Sequence, residues 1–175
     1  MRTVPASLLP MSPDPESNER RAWIAAGLAA AATLSMSDTA NAQLPLPFAT
    51  LRLPTRPDVT APDGSDVRIL PRLAGGSMAH FTLAEGKTSI AVMHRSVEEI
   101  WFFVSGRGEM WRKSGEQEEV VEAAAGVAVT IPLGTRFQFR AVGTEPLVAV
   151  AITMPPWPGD DEAIAVEGRW RQTTK

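Results

Sequence analysis

Few side chains in this 175-residue chain could carry out chemistry, and their types limit what that chemistry is. The sequence has two histidines, His80 and His94, together with twenty Asp and Glu residues, and it has no cysteine or tyrosine. Without cysteine there is no disulfide, thiolate metal ligand or thiol nucleophile. Any catalysis must therefore use imidazole, carboxyl, hydroxyl, Lys or Arg groups.

The overall composition is that of one globular domain with no affinity for nucleic acid. Hydrophobic residues make up 44% of the chain and charged residues 21%, which argues against wholesale disorder. The length leaves room for one core but not for two independent ones. A net charge of −3 supplies no basic surface of the kind that binds nucleic acid.

The elements that must position the reactive groups are predicted to be short β-strands. Residues 67–153 contain nine brief runs rich in Val, Ile, Phe and Trp, separated by Gly, Pro or charged residues. Because no helical period lies between them, we expect an all-β antiparallel sandwich or barrel. Residues 116–125, whose glutamates favour helix, lie between two hairpin signals, so we reject a helix there. The predicted strands are Val67–Leu70, Met78–Leu83, Thr88–Arg95, Glu99–Val104, Gly108–Lys113, Glu119–Glu122, Val127–Ile131, Arg136–Ala141 and Leu147–Thr153.

The spacing of glycines and polar residues in this region resembles the first motif of the cupin superfamily. Gly86 is followed after five residues by Val92, then by His94, Glu99 and Gly106 with one, four and six residues between them. The family ordinarily has histidines at the positions of Val92 and His94 and a carboxylate at that of Glu99.

A second frame downstream resembles the second cupin motif. Gly126, Pro132, Gly134, Phe137 and Ala141 follow one another with five, one, two and three residues between them. The family usually has His at the position of Phe137 and often Asn at that of Ala141. Over residues 67–154 the resemblance implies a cupin double-stranded β-helix, or jelly-roll barrel, of the small single-domain type with degenerate metal-binding motifs.

Strand alternation groups the side chains of these frames on common faces. Ile90, Val92 and His94 share one face of their strand. Trp101 and Phe103 share a face with Glu99, and Phe139 and Ala141 share a face with Phe137. If the family's inward face applies, these sets line one cavity. The pocket-lining residues are then Val92, Trp101, Phe103, Phe137, Phe139 and Ala141.

The resemblance also implies a metal site, but this chain has metal-binding side chains at only two of its four ligand positions. Cupins commonly hold Fe, Mn, Ni or Zn through three histidines and one carboxylate, and here Val92 and Phe137 put hydrocarbon at two of those positions. By alternation in its strand, His80 points outward. We therefore expect no cofactor and no tightly bound metal; the alternative is a divalent metal held by His94 and Glu99.

An imidazole and a carboxyl group facing one apolar cavity are the components of an acid–base pair. We expect a small-molecule-binding cavity, with His94 and Glu99 as its polar contacts or as a buried structural pair. The alternative is a cupin enzyme that uses His94 as base and Glu99 as acid or orienter in isomerase- or epimerase-like proton transfer, or a metal-dependent oxygenase. The identity of the small molecule stays open.

The N-terminal sequence is typical of an export signal. Arg20 and Arg21 precede a charge-free, Ala-rich run over 22–37, too short to span a membrane, and Ala40-Asn41-Ala42 has the form of a signal-peptidase site. The arginine pair resembles a twin-arginine signal. We expect export to the bacterial periplasm or beyond, with no stable membrane insertion after cleavage. The alternative is an Ala-rich helix belonging to the domain.

These features divide the chain into four parts. They are a signal peptide (1–42), an extended arm with five prolines (43–66), the barrel (67–154) and a C-terminal tail (155–175). In the tail, Trp157 stands among prolines and could either cover the barrel mouth or pack on the outer wall. We expect a homodimer, as for many cupins.

Overall fold

A computed structural model describes residues 47–174, which form an almost entirely β-structure. The predicted signal peptide lies outside the described residues. The described part contains eleven strands and one 3₁₀ turn, Asp160–Glu162. The strands are β1 (Val59–Thr60), β2 (Asp66–Leu73), β3 (Gly76–Leu83), β4 (Val92–His94), β5 (Glu98–Ser105), β6 (Arg107–Ser114), β7 (Gln117–Ala124), β8 (Ala128–Ile131), β9 (Arg136–Ala141), β10 (Leu147–Met154) and β11 (Ala163–Ala165).

The strands form two antiparallel sheets with one hydrophobic core between them. One sheet has six strands in the order β1-β2-β3-β10-β5-β8, and the other has five in the order β11-β4-β9-β6-β7. Core residues come from both sheets, among them Leu83 and Trp101 from the first and Met110 and Phe137 from the second. The all-β fold predicted from the strand pattern is confirmed.

Aromatic rings fill the centre of this core. Trp101 is 1% exposed, and its ring packs against Phe81, Phe103, Phe137 and Phe139 at centroid distances of 4.7, 6.2, 6.1 and 5.1 Å. Burying one large apolar side chain contributes roughly 1.5–3 kcal/mol. The alternation of β5, in which Glu99, Trp101 and Phe103 are buried and their neighbours exposed, directs these side chains inward.

A glycine closes the hairpin between β5 and β6. Gly106 has φ +78°, and a Cβ at this position would collide with the carbonyl oxygen of Pro146. Only glycine combines this left-handed conformation with such a close approach of two backbones. Gly106, which ends the pattern that resembles the first cupin motif, therefore sets the turn from β5 into β6 at the point where it passes β10.

The nine predicted strands are present, but one is much shorter than predicted. The run Thr88–Arg95 forms a strand only at Val92–His94, because the backbone before it bonds to separate segments: the amides of Ser89 and Ile90 donate to the carbonyls of Phe139 and Asp63. Residues 117–124 form strand β7, so the rejection of a helix there is confirmed.

Two short strands in the described chain were not predicted, and one of them joins the C-terminal tail to the barrel. β11 pairs with β4, with Ala163 opposite His94. Beyond it, the tail crosses the outer face of β9, where the Gln138 side chain accepts a hydrogen bond from the Trp170 amide and donates one to its carbonyl. Gln138 is thus 1% exposed although it points away from the interior. Between residues 47 and 174 there is no helix with the length and apolar character needed to cross a membrane.

Candidate functional site

His94 and Glu99 meet at one end of the barrel. His94 ends β4 and Glu99 is the second residue of β5, so the turn between these strands brings the two side chains together. Nε2 of His94 lies 3.1 Å from Oε2 of Glu99, and the two side chains are 5% and 2% exposed. The same Glu99 oxygen accepts a hydrogen bond of 2.7 Å from Nε1 of Trp101, which fixes the position of the carboxyl group.

The imidazole of His94 lacks hydrogen bonds within the described part of the chain. Neither Nδ1 nor Nε2 has a partner with hydrogen-bond geometry, so the Glu99 oxygen, although only 3.1 Å away, lies off the direction in which the ring nitrogen would donate or accept. A buried polar atom without a partner costs about 1–3 kcal/mol. Such a cost is typical of groups that bind something else in the functional state.

Two aromatic rings flank the His94 imidazole. The Phe137 ring lies 5.3 Å away at 50°, and the indole of Trp157 lies 5.3 Å away at 85°, edge to face. The Trp157 amide donates to Oγ of Ser77 over 2.9 Å, which ties the segment after β10 to β3. Of the two positions open for Trp157 in the sequence, it therefore takes the one over the barrel mouth.

A buried carboxylate next to this site holds the β4–β5 turn. Glu162 accepts hydrogen bonds from the amide and hydroxyl of Ser96 and from the amide of Val97, at 2.6, 2.7 and 2.9 Å. Burial by itself would raise its pKa, but the hydrogen bonds from Ser96 and Val97 and the nearby His94 outweigh burial and lower it. Glu162 thus stays ionised and anchors the tail to the turn that carries His94.

Asp63, in the loop between β1 and β2, is a second buried acid that the sequence did not suggest. Its Oδ1 accepts hydrogen bonds from the amide and hydroxyl of Ser65, and its carbonyl accepts from the amide of Ile90. Burial raises the pKa of Asp63 to about 6; the bonds from Ser65 oppose this rise and the charge of Glu99 adds to it. No motif marks this residue, because its loop reaches the barrel only through long-range contacts.

The other histidine lies on the opposite face of its sheet. His80 alternates in β3 with Phe81, which packs on Trp101, so it points outward as expected. Partial burial and the nearby Arg68 lower the pKa of His80. It takes no part in the His94–Glu99 pair.

The residues at the mouth do not fit the four-ligand metal site of cupins. Val92 and Phe137, at two of the four positions, are each 1% exposed and offer no lone pair. Residues 47–174 contain no group of three or more His, Asp or Glu side chains arranged to hold a metal. His94 and Glu99 are two donors, fewer than even a facial triad requires.

The six predicted pocket-lining residues all lie in the core around the site. They pack against one another within the single hydrophobic cluster, at 0–4% exposure. The members are Val92, Trp101, Phe103, Phe137, Phe139 and Ala141.

Two antiparallel sheets wrapped around one core, with the polar pair at one end, define a double-stranded β-helix. The solved structures that share this fold include the following three. A variant oxalate decarboxylase of Bacillus subtilis has a TM-score of 0.52 and 18% identity, and the match covers 59% of this chain and 28% of that one. An uncharacterised Klebsiella pneumoniae protein with a double-stranded β-helix domain has a TM-score of 0.50 and 17% identity, covering 62% and 89%. An oxalate oxidase in complex with glycolate has a TM-score of 0.51 and 25% identity, covering 61% and 57%.

The sequence comparison gives the family. Residues 79–153 match the family model described as Cupin domain, so this part of the chain is a cupin domain. It spans less than a third of the length of the decarboxylase. No curated protein sequence matches the chain.

Proposed function

We propose that this cupin-domain protein binds a small molecule at the barrel mouth, with His94 and Glu99 as its polar contacts and without a tightly bound metal. The observation that carries the proposal is the unsatisfied imidazole: both nitrogens of His94 are buried and lack a hydrogen-bond partner in the described chain. A ligand atom that donates to or accepts from this ring would remove that cost.

The surroundings of His94 suit a compound with an apolar part and a polar end. Phe137 and Trp157 offer ring surfaces on two sides of the imidazole, while Glu99 supplies acceptor oxygens. Sites for small molecules commonly combine apolar walls with a few fixed polar groups. Trp157 lies over the imidazole, so this ring must move aside for a ligand to reach His94.

Proton transfer is a second candidate function, favoured by the 3.1 Å contact between Nε2 of His94 and Oε2 of Glu99. In this case His94 acts as base, while Glu99, held by Trp101, orients the imidazole or returns the proton. The reaction would be an isomerase- or epimerase-like proton shift. A metal-dependent oxygenase has less support, because two ligand positions are hydrocarbon.

Native mass spectrometry of the purified full chain tests the binding proposal. We expect a retained small molecule in the wild type, its loss in His94→Gln, and its retention in His80→Gln, a matched control at the other histidine. Retention of the molecule in a folded His94→Gln variant would contradict the proposal, as would one stoichiometric Fe, Mn, Ni or Zn per chain by elemental analysis. Conversion of the retained compound to an isomer by the wild type would favour proton transfer over binding alone.

We also propose that the protein is exported and forms a homodimer. The arginine pair, apolar run and Ala40-Asn41-Ala42 support export. The expected mature N-terminus is Gln43, which N-terminal sequencing of the secreted protein checks.

The outer face of the six-stranded sheet supports a dimer. Ile100, Phe102 and Val104 of β5 are each more than 40% exposed, and an uncharged apolar surface can face its own copy without like-charge repulsion.

A further inference from the structure

A second set of unpartnered polar atoms lies on β6 and immediately before β9. Nε of Arg112 and Oγ1 of Thr135 are buried and have no hydrogen-bond partner in the described chain. Both side chains line the same cavity, of about 120 Å³. Thr135 is only 4% exposed.

Thr135 lies at the end of the barrel to which the β4–β9 pairing leads. β9 pairs with β4 through Phe137 and Val92 and through Arg136 and Met93, and Thr135 is the residue before Arg136 as His94 is the residue after Met93. On its other side Phe137 pairs with Arg112 of β6. The two sets of unsatisfied atoms thus flank Phe137 at the same end of the barrel.

Arg112 is held in place while one of its nitrogens has no partner. Its Nη1 donates to the carbonyl of Thr130 and its Nη2 to Oε1 of Glu119, at 2.5 and 2.8 Å. The third nitrogen, Nε, is the buried unpartnered atom. The Arg112 side chain is 15% exposed, while its partner Glu119 is 46% exposed.

The unpartnered atoms of the cavity favour a ligand that accepts hydrogen bonds. Arg112 and Lys113 are each already in an ion pair, with Glu119 and with Glu118, so the selection rests on the donors without a partner. An Arg Nε can only donate, and a Thr hydroxyl can donate at the same time. A planar group with two acceptor oxygens matches a pair of donors of this kind, since charge-assisted hydrogen bonds from Arg to carboxylate are the strong ones.

We propose that the cavity lined by Arg112 and Thr135 is a carboxylate subsite. Neither His94 nor Glu99 lines this cavity, so the inference goes beyond the proposed function and does not depend on it. One carboxylate oxygen accepts from Nε of Arg112 and the other from Oγ1 of Thr135. The ligand is then a small organic acid.

Calorimetric titration of the full chain with sodium acetate, at constant ionic strength against sodium chloride, tests the subsite. We expect acetate to bind and the neutral isostere acetamide to bind at least about tenfold more weakly. Thr135→Val, which keeps the side-chain shape, should weaken acetate binding about fivefold or more. Thr144→Val, at an exposed position in the loop between β9 and β10, serves as the matched control and should bind as the wild type does.

Thermal unfolding without acetate separates this role from a structural one. Thr135→Val removes a hydroxyl that is unsatisfied without ligand, so the variant should be at least as stable as the wild type. A structural hydroxyl would instead lower the unfolding temperature when removed. Arg112→Gln supplies a second variant and should weaken acetate binding at least about tenfold.

The outcomes separate this inference from the proposed function. If acetate binds equally to the wild type, Thr135→Val and Arg112→Gln, or to none of them, the subsite is wrong, even if His94→Gln loses the retained molecule. If acetate binding depends on Thr135 while His94→Gln keeps the retained molecule, the subsite stands and the role proposed for His94 fails.

Discussion

The indole of Trp157 stands edge-on to the imidazole of His94, with ring centroids 5.3 Å apart and planes at 85°. Trp157 follows the last long strand, and its amide is tied to Oγ of Ser77 on β3. Farther along, Glu162 accepts three hydrogen bonds from the β4–β5 turn. The segment between them is therefore fixed at both ends over the polar pair, which makes Trp157 the side chain that controls access to His94.

Replacing Trp157 by Ala should expose the imidazole. An aromatic contact contributes about 0.5–1.5 kcal/mol, so we expect His94 to react with diethyl pyrocarbonate up to about tenfold faster. The only other histidine, His80, lies on the outer face and provides an internal reference for the reagent. Trp170→Ala, which removes an indole from the outer face of β9, is the matched control. An unchanged ratio of the two histidine rates in Trp157→Ala would mean that Trp157 does not cover the site.

Restoring the missing donors should create a metal site. Val92 and Phe137 pair across β4 and β9, and both are buried beside the His94–Glu99 pair. The double variant Val92→His with Phe137→His regains three histidines and one carboxylate, so we expect about one divalent metal per chain by elemental analysis. The wild type should hold much less than one.

The control for this variant places a single new histidine deeper in the barrel. Phe139 is two residues after Phe137 on the same face of β9, so Phe139→His alone adds an imidazole that is out of reach and leaves His94 and Glu99 as the two donors, fewer than a facial triad needs. This variant should stay without stoichiometric metal. Circular dichroism checks that both variants fold, and a folded, metal-free Val92→His with Phe137→His would show that these side chains do not converge.

The barrel could be predicted from the sequence because the alternation that specifies its strands is local. The residues around the site could not be predicted in this way, because several of them come from loops that are distant in sequence. Alternation along β5 and β9 predicted that Trp101 and Phe137 point inward. The same alternation, extended from Phe137 to the residue two positions before it, predicts that Thr135 also points inward. Asp63 and Glu162 lie outside any alternating run and reach the site only through loops. Strand β11 has three residues and exists only because β4 is available to pair with it.

A charge on the outer face of the six-stranded sheet should separate the proposed dimer. Phe102 is 47% exposed and lies beside Val150 of β10. In Phe102→Glu an unpaired carboxylate would enter an apolar interface at a cost of several kcal/mol, so the dissociation constant should rise at least about 100-fold. Native mass spectrometry or size-exclusion chromatography at several concentrations measures this.

Val120→Glu supplies the control for the dimer experiment. Val120 is a comparably exposed apolar residue, at 39%, but it belongs to β7 of the other sheet. This variant should remain dimeric. A wild type that is monomeric at all concentrations would refute the dimer, and a Phe102→Glu variant as dimeric as the wild type would move its interface to another face.

The buried acid Asp63 should give stability a pH dependence opposite in sign to that of an ion-paired carboxylate. Its pKa rises from an ordinary value of 3.8 to about 6 on folding, chiefly because the group is buried. The folded state thus holds the proton more tightly than the unfolded state, and the free energy of unfolding falls as pH rises from about 4 to about 6, then levels off. A pKa difference of this size corresponds to about 3 kcal/mol.

Asp63→Asn should remove this loss, because an amide cannot ionise while its oxygen still accepts the two hydrogen bonds from Ser65. Denaturant unfolding should show the variant up to about 3 kcal/mol more stable than the wild type at pH 7.5 and about equal to it below pH 4. Glu162, whose pKa is lowered, contributes stability that is present above about pH 4.5 and lost as pH falls, but it does so in both proteins and cancels in the difference. Asp66→Asn, at an exposed position, controls for loss of charge alone. A stability difference that does not change with pH would mean that Asp63 is ionised as readily in the folded protein as in the unfolded chain.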